Sequence, residues 1–202
     1  MSNIPFAPLA ISLSGPRITL EPVDESHFQG LAHLAMDSDI WTWMLNRPPQ
    51  NIPDFRDIFD DMIRLRADGS QMPFVVISNA SGEVLGTSRL FDFRPKDRGL
   101  EIGYTWYGPE SRGTFVNLEA KYLLLTHSFE VLRANRVQLK TDARNARSRR
   151  AIEKIGAQFE GILRSYQARF DGICRDTAMF SMTLADWPRD KVALELSLSE
   201  QG

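Results

Sequence analysis

Between Leu100 and Thr141 the apolar pattern of the chain changes period twice. Leu100-Glu-Ile-Gly-Tyr-Thr-Trp-Tyr107 reads as a strand and is closed by Gly108-Pro109. Residues 116–132 then repeat apolar side chains at helical spacing through Val116, Ala120, Leu123, Leu124 and Val131. Arg136-Val-Gln-Leu-Lys-Thr141 returns to a strand. Strand, helix and strand in that order make a crossover unit, which lays its helix on one face of a sheet.

The flanking segments say what that sheet looks like. Arg17 to Pro22 alternates as a first strand, after a proline-bearing arm. Asp24 can cap a helix that carries Phe28, Leu31, Leu34 and Ala35. Asp54 opens a second helix, with a stripe of Phe55, Ile58, Phe59, Met62, Ile63 and Leu65 that stops at Asp68-Gly69. Pro73 to Ser78 and Glu83 to Phe93 form an antiparallel pair about Asn79-Ala-Ser-Gly82. Ser148 to Ile155 is a short helix ending at Gly156, and Phe159 to Ala168 pairs with Arg175 to Leu184 across Asp171-Gly172. The expected fold is therefore α+β: one mixed, mostly antiparallel sheet of about seven strands, with helices on both faces. Residues 1–185 read as a single domain with a loose arm over 1–14. Residues 186–202 read as an appended tail, in which Val192, Leu194, Leu196 and Leu198 alternate as one short extra strand would.

Composition removes several classes of function. A net charge of -2 argues against a nucleic-acid binder working by bulk charge. No apolar run of about 18 residues exists to span a membrane. The first ten residues lack a basic stretch followed by an apolar core, so a cytoplasmic location is the default expectation. Cys174 is the only cysteine, which rules out an intrachain disulfide and a cysteine-rich zinc site. His27 and His33 are six apart, a poor metal spacing, and His127 is distant, so no metal site is expected.

The segment Glu110-Ser-Arg-Gly-Thr-Phe-Val-Asn117 leads from a strand straight into a helix. Such a joint presents unpaired N–H groups and the positive end of the helix dipole, which suits a pyrophosphate. Arg112 adds a charge and a forked donor. The next strand ends in Lys140-Thr-Asp-Ala-Arg-Asn145-Ala-Arg-Ser148, followed by Arg-Arg-Ala151-Ile-Glu-Lys-Ile-Gly-Ala157. Taken together, the two segments resemble the GNAT N-acetyltransferase superfamily, closest to its RimJ/RimL-like branch, over roughly residues 15 to 185.

That resemblance implies a GNAT fold and an enzyme that transfers acetyl from acetyl-CoA directly to a primary amine, in a ternary complex. It implies that a main-chain N–H from Thr105, Trp106 or Tyr107 polarises the acyl carbonyl. Arg112, Gly113, Thr114, Phe115, Val116 and Asn117 correspond to the loop that cradles the pyrophosphate. Asn145 corresponds to a contact with the pantetheine arm and Ser148 to one with the leaving sulfur. Glu101 is the candidate base or water-holder. The region of Trp41, Trp43 and Met44, with Tyr166 and Phe170 near the last hairpin, would wall the acceptor site. Dimers are common in that branch, so a homodimer is a further expectation, with the apolar tail positions as candidate contacts. One departure stands out: Phe115 occupies a position where the family's loop carries glycine, so its ring must point away from the phosphates.

Each of these residues has a plainer reading. Glu101 can be a surface carboxylate, Ser148 a helix N-cap and Asn145 a turn residue. The tryptophans can be core. Arg144, Arg147, Arg149 and Arg150 can meet the ribose phosphate of CoA or form a solvated face. Asp37, Asp39, Asp60 and Asp61 would favour a cationic acceptor if they line its pocket, and are surface charges if they do not. Two other functions stay open: a catalytically inactive CoA-binding regulatory or scaffold protein, kept alive by Phe115, and an interaction module that binds no CoA.

Overall fold

The computed structural model describes residues 6, 7 and 9–201. Eight strands form one sheet in the order β1-β2-β3-β4-β5-β6-β8-β7. They are β1 Leu13–Ser14, β2 Ile18–Pro22, β3 Met72–Ser78, β4 Val84–Arg94, β5 Gly99–Tyr107, β6 Arg136–Asp142, β7 Gln158–Ala168 and β8 Cys174–Thr183. Every neighbouring pair is antiparallel except β5 and β6, the crossover pair. The strands expected between Arg17 and Leu184 all occur, and β1 is added to them, whereas the short extra strand read over 192–198 does not form.

Helices cover both faces. α1 (Phe28–Ala35) and α2 (Ile52–Ala67) bury Leu31, Phe55, Phe59 and Met62 against Val75 and Trp106 on one face. On the other face lie α3 (Phe115–Thr126), α4 (Ala146–Lys154) and α5 (Trp187–Ser199). Leu124, Leu125, Ile152 and Trp187 there share a core with Leu100, Val137 and Phe180. Each such apolar side chain contributes about 1.5–3 kcal/mol relative to exposure, so the two cores clamp the sheet between them.

The helix ends correct several sequence expectations. α2 starts at Ile52 rather than Asp54, because Asn51 Oδ1 accepts from Asp54 N at 2.9 Å. α4 starts at Ala146, because Asn145 Oδ1 accepts from Ser148 N at 3.0 Å, so Asn145 and not Ser148 is its N-cap. α3 passes into a π-helical turn over His127–Val131, where its expected last turn lies. The segment read as a strand over 192–198 is part of α5. Trp187, Asp190 and Leu194 fall three to four residues apart and are buried, and that helical period outweighs the accidental alternation of its leucines. The expected loose arm falls partly on residues 1–5 and 8, which lie outside the described residues, as does residue 202 of the expected tail. Within the described part, Phe6 is buried and packs edge-on against Phe93 with ring centroids 6.0 Å apart.

Candidate active site

Strands β5 and β6 pair only at Gly99↔Arg136, Leu100↔Val137 and Glu101↔Gln138. Beyond Glu101 they part, and the β6-facing edge of β5 has no strand to bond. A cleft of about 410 Å³ fills the gap, bounded by β5, the loop 111–114, α3, β6 and α4. A bulge shapes its wall. Thr87 faces Trp106 and Arg89 faces Gly103, so Ser88 opposes two residues, Tyr104 and Thr105. Tyr104 adopts φ 50°, in the left-handed region. A bulge re-aims backbone and side chains out of the ladder, here into the cleft.

One end of the cleft is the N-terminus of α3. Thr114 caps it, its Oγ1 accepting from Val116 N at 3.3 Å and donating to Ser111 O at 2.8 Å. The first amides of a helix have no carbonyl four residues back, so they face the cleft with the positive end of the dipole. Gly113 has φ 76°, and a Cβ there would stand in open space within the loop. The fit to a pyrophosphate is therefore one of backbone, free of side chains at the point of approach.

Phe115 does not block it. Its ring lies under Arg17, whose guanidinium carbon is 3.9 Å from the ring centroid, and it does not line the cleft. Arg17 is itself fixed by Glu119, which accepts from Arg17 Nε and Arg17 N, both at 2.9 Å. Val116 is buried in the core and also lies off the cleft wall, whereas Asn117 lines it. Arg112 lines the cleft but does not offer an unengaged fork. Its Nε donates to Tyr107 O at 3.0 Å and its Nη2 pairs with Asp37. Among the four arginines near α4, Arg147 alone lines the cleft. Arg144 is tied to Asp142 at 2.8 Å, Arg149 lies over Phe159 at 5.2 Å, and Arg150 is exposed.

At the waist of the cleft Glu101 is 1% exposed, so it is no surface carboxylate. Its Oε2 accepts from Gln138 Nε2 at 2.8 Å and from Lys140 Nζ at 3.0 Å. Burial raises its pKa, against the opposing pull of Lys140. Ser148 and Thr105 line the cleft half-buried, and the buried Asn145, Trp106 and Tyr107 line it as well. Lys121 enters from α3: its Nζ donates to Thr105 Oγ1 at 2.6 Å and to Ser88 Oγ at 3.1 Å. Desolvation pulls its pKa down to about 7.

The other end lies under the β7–β8 hairpin. Phe170 N donates to Leu45 O at 3.0 Å and Arg169 Nη1 to Thr42 O at 2.9 Å, which pins the hairpin tip to the segment between α1 and α2. Trp43, Met44, Leu45 and Phe91 line this end, with Gln167 and Arg175. Three expectations are corrected here, the first being Phe170, which is 41% exposed and does not line the cleft. Trp41 is core, 2% exposed, its Nε1 donating to Ala35 O at 2.8 Å. Tyr166 is 46% exposed and stands outside the cleft, with Lys140 Nζ 5.5 Å from its ring centroid. Three of the four carboxylates left open between an acidic pocket and surface charge pair with arginines: Asp37 with Arg112, Asp60 with Arg56, Asp61 with Arg64. Of the four only Asp39 lines the cleft. Among the described residues there is no cluster that could hold a metal ion, and no helix long and apolar enough to cross a membrane.

Sequence reasoning missed Lys121, Lys140 and Arg175. Lys121 sits among the buried positions Leu118, Ala120, Leu124 and Leu125 of α3, and Arg175 shares the inward register of Thr177 on β8. A charge at an inward position of a strand was the available signal for the latter.

A family model described as an acetyltransferase (GNAT) domain matches residues 17–158. A curated relative, p20 of Bacillus licheniformis, described as an uncharacterized N-acetyltransferase, is 26% identical over 166 residues, covering 82% of this chain and 92% of that protein. The crystal structure of a GCN5-related N-acetyltransferase from Brucella melitensis superposes with a TM-score of 0.88 at 31% identity, over 95% of this chain and 87% of that one. Mycobacterium smegmatis RimJ, solved in complex with CoA-disulfide, shares the fold with a TM-score of 0.80 at 19% identity, over 95% of this chain and 96% of that one.

Proposed function

Because this chain belongs to the GNAT acetyltransferase family, with RimJ among its structural relatives, we propose that it transfers acetyl from acetyl-CoA to a primary amine by direct attack in a ternary complex. The acceptor is a protein N-terminus or a small-molecule amine, and the enzyme acts in the cytoplasm on this reading. The observation that carries it is the splay of β5 from β6 beyond Glu101, which opens onto the capped N-terminus of α3.

The two ends of the cleft divide the work. The amides from Gly113 to Asn117 hold the pyrophosphate, and Arg147 supplies a charge for the ribose phosphate. Asn145 and the open edge of β5 hydrogen-bond the pantetheine arm. When bound, acetyl-CoA supplies an activated acyl group on a thiol leaving group. A main-chain N–H of the Thr105–Tyr107 edge meets the acyl oxygen as negative charge develops there. Glu101, its pKa raised by burial, takes the proton from the incoming amine directly or through a water. Ser148, which lines the cleft just beyond the cap of α4, hydrogen-bonds the leaving sulfur through its Oγ. Arg112 acts as a brace, holding the loop to Tyr107 O and to Asp37.

The test is thiol release from acetyl-CoA with a panel of amines, for the wild type and Glu101→Gln. Turnover with at least one amine that Glu101→Gln slows by about 10²–10⁴ supports the reading. Equal turnover in both proteins removes Glu101 from it, and no turnover with any amine overturns it.

A further inference from the structure

Around the hairpin end of the cleft, nearly every charge has its own partner. Glu101 is met by Lys140 at 3.0 Å, Asp142 by Arg144 at 2.8 Å and Asp171 by Arg169 at 3.4 Å. Arg175 is the exception: among the described residues no carboxylate lies within 4.0 Å of its guanidinium. The residue is 8% exposed, and it lines the cleft. Its Nη1 donates to Trp43 O at 2.9 Å and its Nη2 to Gln167 Oε1 at 3.0 Å, both uncharged acceptors. Its Nε is buried and has no hydrogen-bond partner among the described residues.

A buried guanidinium with only neutral acceptors is costly to keep, and the fold gains nothing from it that a neutral side chain would not supply. Desolvation disfavours its charged form, against the weaker pull of Asp142 and Glu101, both of which stand beyond ion-pair distance. The cost is recovered when an anion arrives, because a carboxylate accepts charge-assisted bonds in a site already stripped of water. Trp43 holds the guanidinium through its carbonyl, and Trp43, Met44 and Leu45 line the same end of the cleft, so the charge sits at an end with apolar side chains. Arg169 is no competitor for the role, since Asp171 already faces it.

We propose that Arg175 is an anion-receiving specificity residue, and that the acceptor is an amine carrying a carboxylate of the amino-acid type with an apolar body, not a polyamine. In this arrangement the acceptor spans the end of the cleft. Its amine lies toward Glu101, its carboxylate on Arg175, and its apolar part against Trp43, Met44 and Leu45. The inference rests on the acyl-transfer reading and narrows its substrate class.

The experiment pairs matched acceptors: leucine, methionine and phenylalanine against their α-carboxamides, with putrescine as the dication. Acetyl-CoA-dependent thiol release is measured for the wild type, Arg175→Gln and Arg175→Lys, with thermal melts confirming folding. Calorimetry of the same amines against the protein–CoA complex supplies a readout that needs no turnover. The expected result is kcat/KM at least tenfold higher for the amino acids than for their amides. Arg175→Gln erases that preference, and Arg175→Lys retains part of it. Amides or putrescine serving as well as the amino acids in the wild type would overturn the inference and leave acyl transfer standing. Carboxylate-dependent binding without turnover would uphold the Arg175 site while removing the catalytic reading. Neither turnover nor carboxylate-dependent binding would overturn both. The wild-type comparison decides the matter even if neither variant folds.

Discussion

Lys121 Nζ donates to Thr105 Oγ1 at 2.6 Å, which joins helix α3 to the bulge of β5 from beneath the cleft. Among the described residues the ammonium has no carboxylate partner, only Thr105 and Ser88, whose hydroxyls also bond each other at 2.8 Å. Desolvation brings its pKa to about 7 from an ordinary 10.5. In the unfolded chain the amine keeps its proton to about pH 10.4. Between those values the unfolded state binds more protons, so stability rises with pH there by about 1.4 kcal/mol per pH unit. Below pH 7 both states are protonated, and the full cost of burying the charge is present. Lys121→Met removes this dependence. Urea unfolding from pH 6 to pH 10 is expected to show the wild type gaining on the variant through the window, by a few kcal/mol in all. A gap that stays level with pH would contradict the buried, unpaired ammonium.

Glu101 is expected to govern the acid side of the pH–rate profile. Burial raises its pKa above the usual carboxylate range, so activity falls on acidification at a higher pH than for an exposed glutamate. Glu101→Gln keeps the shape, costs about 10²–10⁴ in kcat, the scale of one general base, and loses that acid limb. An unchanged limb in the variant would assign the base elsewhere.

Phe115 packs under Arg17 and not into the phosphate loop. Phe115→Ala is therefore expected to lower stability by about 1–2 kcal/mol, from lost burial and a lost cation–π contact. Its acetyl-CoA affinity should stay within about threefold of the wild type, a change under 1 kcal/mol. A large loss of affinity with unchanged stability would place the ring in the cofactor path.

Arg147 and Arg150 lie on one short helix, but only Arg147 lines the cleft. Arg147→Ala is expected to weaken acetyl-CoA about tenfold, the order of one charged hydrogen bond, and to weaken the 3′-dephospho form much less. Arg150→Ala should change neither. Equal losses for both ligands would detach Arg147 from the ribose phosphate.

Much of this architecture was legible in the chain because its signals are local. Alternation places the strands from Ile18 to Thr183, and the joint from Gly108 to Asn117 marks the α3 site before any coordinate is known. The errors share a different cause. The leucines of α5 alternate by accident while Trp187, Asp190 and Leu194 keep the helical period that packing selects. Asn145 and Ser148 are both capable caps, and only the backbone path decides between them. Lys121 drew no reading from the sequence, because the partners of its ammonium lie on a bulge 16 residues upstream. Arg112 reads as an open fork because Asp37, 75 residues away, is not adjacent in sequence. Long-range pairing of this kind leaves no periodic trace.

The most direct test of the account is a calorimetric titration of acetyl-CoA into the wild type and into Gly113→Val. Gly113 holds φ 76°, and the valine side chain would stand where the loop approaches the phosphates. Saturable one-to-one binding by the wild type is predicted. The variant is expected to lose at least tenfold in affinity, about 1.4 kcal/mol, along with about 1–2 kcal/mol of stability from the left-handed backbone. No binding by the wild type at millimolar acetyl-CoA, or equal affinity in the two proteins, would contradict the claim that the open end of α3 is where CoA binds.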